Sequence, residues 1–210
     1  MLMVAALWCM GWGVAQDGAP VARLTVVPAG EQRLDLSTGE TVLPDGGTIV
    51  DAETGLELEA ETIRYVEGAW IEAEGASAST GGGILTAPSL RIDLDGPSAS
   101  APQGVRYRLD GLSVAAASAD LRFDPDLVRF DDPRAEDPLL EGRALLLDVG
   151  TGDAVLLGPY RFQDGPFTLS DEREEAVLQL RPVRTDAGVP TYRAANEVDE
   201  ELWTRLAPLR

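Results

Sequence analysis

The sequence predicts an all-β domain of consecutive antiparallel strands, followed by a short C-terminal helix. Three observations support this prediction. A strand-like sequence motif, which we call the clause, occurs three times, as "AETIRYVEG", "APSLRIDLDG" and "ADLRFDPD". Apolar and polar residues alternate through each copy, which is the period of a strand with one buried face. The 22 Gly and 14 Pro residues of the chain mostly separate short runs, as they do in proteins rich in strands and tight turns.

The N-terminal segment, 1–15, differs from this domain in composition. The stretch "MLMVAALWCMGWGVA" has no charged side chain and ends in a small-x-small pattern at Gly13 and Ala15, which is typical of a cleaved secretory signal. A short membrane anchor is the less favoured alternative, because a spanning helix needs roughly 20 apolar residues. We therefore expect a signal peptide at 1–15, an exported β-domain at 16–185, and a linker with a helix at 186–210.

The composition of the chain after Ala15 excludes several kinds of chemistry. This part contains no His, Lys, Cys or Met, and all 17 basic side chains are Arg, against 36 acids. Without His or Cys there is no imidazole base, no thiolate nucleophile and no ordinary zinc or copper site. Without Lys there is no Schiff base and no phosphate-binding P-loop. We expect no catalytic residue, no metal and no cofactor.

The net charge of −19 argues against anionic partners. Such a domain repels nucleic acids and anionic membranes unless its basic residues are gathered in one place. The Arg residues are spread along the chain from Arg23 to Arg210, with no basic run. Nucleic-acid binding is therefore not expected, and the acidic surface is expected to keep the domain soluble.

The repeated clause predicts which side chains face inward. Its three copies align on Arg64, Arg91 and Arg122, which are nearly evenly spaced along the chain. Each of these Arg residues stands between two apolar residues, so it is expected on the face opposite the core. Further alternating runs stand beside the clauses, namely "LELEA", "AWIEAEG" and "LSVAA". Each unit therefore reads as strand, turn, strand.

A second short repeat predicts hairpin turns. The stretches "DLSTGETVL" from Asp35 and "DVGTGDAVL" from Asp148 agree at almost every position, and "DAETGLEL" from Asp51 is a partial copy. Each places Thr-Gly between two strand-like runs, where Gly supplies the positive φ of a tight turn. Calcium-binding loops are the alternative, but the ligand spacing of an EF-hand is absent. Turn chemistry is the favoured interpretation.

The C-terminal region predicts one helix. The stretch "SDEREEAVLQLRPV" from Ser170 either begins as a helix or forms a last strand, and "TDAGVPTYRAA" reads as a linker. In "NEVDEELWTRLAPLR", Asn196 is the expected N-cap and Pro208 the expected stop. We expect Trp203 and Leu206 to pack this helix against an open end of the β-body. The apolar stripe of the helix consists of Val198, Leu202 and Leu206.

The repeated units resemble the OstA-like family of lipopolysaccharide transport proteins, to which LptA and the related domain of LptC belong. The matching residues are "LEAETIRYVEGAWIEAEGASAST", "GGGILTAPSLRIDLDGPSASAPQGVRY" and "LSVAAASADLRFDPDLVRF", which cover about residues 55–130 with a weaker continuation to about 182. The second unit departs from the family pattern at Pro88 and Ile92. The resemblance implies a periplasmic, twisted β-jellyroll that is open at both ends and takes acyl chains into its interior. It also implies end-to-end association with further copies or with envelope transport proteins.

The residues that would line such a lipid-binding interior are the inward-facing members of the alternating runs. Core packing is the alternative role for each of them. The small residues among them either leave room for a lipid or let two sheets approach closely. A shortage of basic groups counts against the anionic head group of lipopolysaccharide as cargo, so another envelope lipid remains open. The candidate lining residues are Leu58, Ala60, Ile63, Tyr65, Ile71, Ala73, Leu85, Leu90, Ile92, Val114, Leu121 and Phe123.

Two other classes of function are weighed against a non-catalytic lipid-binding or bridging protein. A glycosidase needs two acids about 5 to 10 Å apart, and the available pairs are Asp124 with Asp126 and Asp131 with Asp132. Such pairs arise by chance among 36 acids, so an enzyme is not favoured. The second alternative is a structural or adhesive β-module, such as a β-solenoid, that binds a protein or glycan. The repeats fade after about residue 130, which favours the jellyroll over the solenoid.

Overall fold

A computed structural model describes residues 24–51, 55–80, 83–109, 111–184 and 190–210. These residues form strands, one short α-helix and one 3₁₀ turn, so the prediction of an all-β protein is confirmed. The expected signal peptide at 1–15 lies outside the described residues. The strands are β1 (Leu24–Pro28), β2 (Arg33–Leu34), β3 (Glu40–Leu43), β4 (Gly47–Asp51), β5 (Leu56–Ala60), β6 (Thr62–Val66), β7 (Trp70–Thr80), β8 (Gly83–Asp93), β9 (Ser98–Ala101), β10 (Val105–Leu109), β11 (Leu112–Ala116), β12 (Ser118–Phe123), β13 (Asp126–Asp131), β14 (Arg134–Glu136), β15 (Leu139–Asp148), β16 (Ala154–Asp164), β17 (Phe167–Asp171), β18 (Val177–Arg184) and β19 (Pro190–Ala195).

The strands pair in antiparallel fashion into two sheets, which we call leaf I and leaf II. Leaf I runs β1, β4, β5, β7, β8, β10, β11, β14, β15, β16, β17, and leaf II runs β2, β3, β6, β7, β8, β9, β12, β13, β15, β16, β18, β19. The long strands β7, β8, β15 and β16 belong to both leaves, because each pairs with one leaf along one half and with the other leaf along the other half. The pairings of β8, β9, β12, β13, β15, β14, β11 and β10 close on themselves. The centre is therefore a closed antiparallel β-barrel, and the remaining strands extend both leaves on either side of it.

The two leaves meet along a line that crosses the long strands β7, β8, β15 and β16, where each strand changes from one leaf to the other. We call this line the crease. In the β7–β8 hairpin the register places Gly75 opposite Pro88 at this crease. Gly75 has φ 60°, a conformation that costs other residues energy, and Pro88 has no N–H for a ladder hydrogen bond. The β15–β16 hairpin bends at a bulge between Gly142 and Ala144. Pro88 therefore lies where the ladder has to bend.

The core lies between the two leaves and forms one continuous cluster. Small buried residues flank the crease, where the chain turns from one leaf to the other, as at Ala60, Ala76 and Ala116. Larger buried residues, such as Leu58 on β5 and Ile63 on β6, lie further from the crease along their strands. Small side chains at the crease fit a close approach of the two leaves there.

The two complete copies of the Thr-Gly repeat, from Asp35 and from Asp148, form hairpin turns with the same hydrogen bonds. In both complete copies the N–H of the Gly, Gly39 or Gly152, donates to the carbonyl oxygen of the first Asp at 2.8 Å. The carboxylates of Asp35 and Asp148 each accept a backbone N–H from within the turn, at 2.8 and 3.1 Å. These turn contacts confirm the hairpin interpretation. In the part of the chain that the structure describes, no group of three or more Asp, Glu, Cys or His side chains is placed to hold a metal ion.

The segment before the C-terminal helix differs from its prediction. Residues 190–195 of the expected linker form β19, which pairs with β18 along its whole length. The ambiguous segment from Ser170 resolves as strands, since Ser170 lies near the end of β17 and β18 begins at Val177. The alternation of Ala176, Leu178 and Leu180, all buried, was therefore the informative signal in that segment.

The C-terminal helix forms as predicted, but its cap and its docking surface differ. The helix α1 (Glu200–Arg205) follows Asp199 as N-cap rather than Asn196, and a 3₁₀ turn follows at Ala207–Leu209. The Asp199 carboxylate accepts hydrogen bonds from Gln179 and Arg181 of β18 instead of capping the helix, because the sheet beside it supplies stronger donors. The apolar face of α1 packs on the outer face of leaf II, so the predicted packing against an open end is wrong. Within the described residues, no helix combines the length and the apolar character needed to cross a membrane.

Candidate functional site

The predicted interior residues lie between the leaves. Ten of the twelve are buried, with exposed fractions of 8% or less, and Tyr65 and Phe123 are half-buried against the same core. They come from six strands, β5, β6, β7, β8, β11 and β12, and alternation turns each of them inward. Their placement fits the predicted faces. It is equally compatible with core packing and with ligand lining.

Side chains leave little space between the leaves near Leu85 and Leu121. The space enclosed there amounts to about 10 Å³, which is the room of a single water molecule at most. Five of the predicted residues line it, Leu85, Leu90, Ile92, Leu121 and Phe123. An acyl chain would therefore have to displace these side chains or separate the leaves on entering.

Among the described residues that line this space, Tyr107 on β10 carries the polar side chain, and it was not among the residues predicted to line the interior. Its side chain is 2% exposed, and its ring centroid lies 5.3 Å from that of Phe130 in the opposite leaf. Its hydroxyl has no hydrogen-bond partner among the described residues. The alternation of "VRYRL" marks Tyr107 as inward, but the absence of a partner depends on the tertiary packing and has no sequence signal.

Burial makes Tyr107 sensitive to alkaline pH. Burial raises the pKa of the Tyr107 phenol to about 12, and the charge of Asp126 adds to the rise. Because the folded-state pKa of Tyr107 lies above the ordinary value of 10, its titration leaves stability unchanged below pH 10 and lowers stability as the pH rises toward 12. The chain after Ala15 has neither Lys nor Cys, whose side chains ordinarily titrate near this window.

We expect the free energy of unfolding to fall between pH 10 and pH 12 by about 2–3 kcal/mol, from the size of the pKa shift. Tyr107→Phe should remove most of this fall, because phenylalanine has no proton to lose. Urea unfolding followed by tryptophan fluorescence at several pH values measures both slopes. A fall of equal size in both proteins would show that Tyr107 is not its source.

The three clause arginines lie on the outer face of leaf II, as predicted. Arg64, Arg91 and Arg122 are all exposed. Arg64 forms ion pairs with Glu40 at 2.6 Å and with Glu72 at 3.7 Å, and Glu72 also pairs with Arg91. Such exposed pairs contribute little to stability. The alternation of the strands, rather than these pairs, turns the basic groups away from the interior.

The outer face of leaf I gathers arginines that are far apart in the chain. The register places Arg106 opposite Ala115, Ala115 opposite Arg134, and Glu141 between Arg134 and Arg161. Successive arginines in this row therefore lie about 10 Å apart, two strand spacings. With Arg108, these residues form no ion pair with any described acid. The expectation that the basic residues are dispersed is wrong for this face, because the register of the strands places arginines that are distant in the chain on neighbouring strands.

The acids weighed for catalysis lie in different surroundings. Burial raises the pKa of Asp126, and the charges of Asp124 and Asp148 add to this rise. Asp131 accepts hydrogen bonds from Ser118 at 3.0 Å and from Arg129 at 3.0 Å. Asp131 borders a groove on leaf II, whereas Asp132 borders a different groove near the crease. The neighbours in sequence therefore face different surfaces.

The two ends of the body expose sheet edges and apolar side chains. Among the described strands, β1 pairs only with β4 and β2 only with β3 at one end. At the other end, β17 pairs only with β16 and β19 only with β18. The large exposed apolar residues near these edges include Leu34 at 56%, Leu36 at 88% and Phe167 at 74%. Open edges with apolar neighbours are able to pair with a further strand.

The chain has also been compared with known proteins. No protein-family model matches it, and no curated protein matches it.

Proposed function

We propose that this protein is a non-catalytic, exported lipid-binding or bridging component of the cell envelope, and that its barrel and flanking strands are an OstA-like twisted β-jellyroll. The observation that carries the proposal is a single apolar interior between two leaves that end, on both sides, in edges uncovered by any described strand. A periplasmic location follows from the expected signal peptide and the family resemblance.

The proposal uses the interior for acyl chains and the ends for partners. The predicted lining residues face one another across the leaves, and they include no charged side chain. The edges at β1, β2, β17 and β19 offer backbone groups for strand addition by a further copy or another envelope protein. The ion pairs and the unpaired arginines lie on the outer faces, outside the apolar space.

The close packing near Leu85 and Leu121 favours a second candidate, a structural bridge that carries no lipid. The enclosed space there is about 10 Å³, so this part of the interior packs without a ligand. End-to-end assembly through the sheet edges would then be the whole function. The two candidates differ in whether lipid accompanies the purified protein.

Mass spectrometry of an organic extract tests the proposal. We expect the mature domain, purified gently from its own envelope fraction, to carry a stoichiometric glycolipid or phospholipid. Ala78→Leu should lower the lipid content several-fold, because Ala78 is 6% exposed and borders the enclosed space. Ser79→Leu is the matched control, since the neighbouring residue of a strand points to the opposite face.

A stably folded wild-type protein that yields no lipid would exclude the carrier. Sedimentation at rising concentration would then test the bridge, because end-to-end assembly predicts a growing series of oligomers.

A further inference from the structure

The hydroxyl of Tyr107, which has no hydrogen-bond partner in the described part of the chain, points to the chemistry of an internal ligand. Buried polar groups in folded proteins nearly always have a hydrogen-bond partner, and an exception needs a cause. A buried hydroxyl without a partner destabilises the fold, whereas phenylalanine fills nearly the same volume without that cost. Core packing therefore does not explain the hydroxyl of Tyr107, since a phenylalanine at this position would fill the space as well.

The surroundings of the hydroxyl are apolar and tight. It borders the enclosed space together with Leu56, Ala99 and Phe123. A Cβ added at Gly83, the first residue of β8, would collide with the Tyr107 hydroxyl. The absence of a side chain at Gly83 makes room for the buried hydroxyl, which therefore borders the enclosed space.

The lining of the space restricts which polar atom the ligand brings. The described residues that line it include no Arg and no other charged residue, and the Tyr107 hydroxyl is the polar side-chain group among them. A carboxylate or a phosphate buried there would have no counter-charge, which costs free energy. A neutral carbonyl accepts a hydrogen bond from the phenol without this cost.

We propose that Tyr107 is the polar anchor of an internal site for an acyl chain, and that its hydroxyl donates a hydrogen bond to an uncharged ester or amide carbonyl of the ligand. The inference rests on the proposed lipid-binding function and deepens it, because it names the chemical class at the head of the chain. The apolar lining holds the chain, while Tyr107 sets how deeply it enters.

Binding of two ten-carbon probes tests this inference with the whole mature chain. Monodecanoylglycerol carries a neutral ester, and decanoate carries a charge at pH 8. Their binding is measured by displacement of a fluorescent apolar dye. The wild type should bind monodecanoylglycerol more tightly than decanoate. Tyr107→Phe should weaken monodecanoylglycerol by about 5- to 10-fold, the worth of one hydrogen bond, and leave decanoate nearly unchanged.

The controls separate the inference from the function on which it rests. Tyr107→Phe should unfold at a higher urea concentration than the wild type, so weaker binding by this variant does not come from a damaged fold. Tyr160→Phe removes a hydroxyl that lies 3.5 Å from Asn196 and should leave binding unchanged. Equal binding of monodecanoylglycerol by wild type and Tyr107→Phe would overturn the anchor while the lipid-binding function stands. Binding of neither probe by the wild type would overturn both.

Discussion

Phe130→Ala is expected to lower the free energy of unfolding by about 3–5 kcal/mol, the range for removing a fully buried phenylalanine. Phe130 lies on β13 in leaf II with an exposed fraction of 0%, and its ring contacts Tyr107 of leaf I. The contact joins opposite leaves inside the closed barrel. Its loss leaves a cavity that the barrel cannot close easily, because strands on both sides are held in register by their ladders.

Urea unfolding at neutral pH, followed by tryptophan fluorescence, measures this effect. Phe167→Ala is the matched control, since Phe167 is 74% exposed at the end of leaf I and should change stability by less than about 0.5 kcal/mol. A loss below about 1 kcal/mol for Phe130→Ala, well under the range for a buried phenylalanine, would mean that the two leaves do not share one core.

The side chains that face inward can be predicted from the sequence, whereas the contacts between strands that are distant in the chain cannot. Strict alternation in runs such as "LELEA" determines which side chains are buried, because a strand has only two faces. The crease was not predicted, although Gly75 and Pro88 mark it in retrospect. A glycine and a proline on separate runs of the sequence have no evident relation until the register of β7 and β8 places them opposite each other.

The candidate site shows the same limit. Alternation in "VRYRL" turns Tyr107 inward and Arg106 and Arg108 outward, and both directions are readable from the sequence. The lack of a partner for the Tyr107 hydroxyl depends on what the opposite leaf presents, which is decided by β12 and β13. The row formed by Arg106, Arg134 and Arg161 likewise depends on the register of five strands.

One departure from alternation did contain tertiary information. The run Leu145–Leu147 in β15 is apolar on both faces, which is typical of a strand covered on both sides. Leu145 and Leu147 face the core between the leaves, whereas Leu146 faces outward beneath the C-terminal helix. The apolar run of β15 thus indicates where α1 docks, although four strands separate β15 from the helix in the chain.

Leu206→Ala is therefore expected to release the C-terminal helix from leaf II and to lower the free energy of unfolding by about 2–4 kcal/mol. Leu206 is 0% exposed and packs with Leu127, Leu146 and Val155 on the outer face of leaf II. A helix as short as Glu200–Arg205 is not stable alone, so it unwinds when its apolar contact weakens. The ion pair from Arg205 to Asp148 at 3.0 Å is too exposed on its Arg side to hold the helix in place.

Thr204→Ala is the matched control, because Thr204 lies on the exposed side of the same helix. Cleavage after Arg205 by trypsin reports the release directly, since Arg205 is protected while the helix is docked. We expect cleavage of Leu206→Ala to be at least ten-fold faster than that of Thr204→Ala, with strand content unchanged by circular dichroism. Equal cleavage rates would mean that α1 is held by its polar contacts, from Asp199 to Arg181 and from Arg205 to Asp148, rather than by the apolar face.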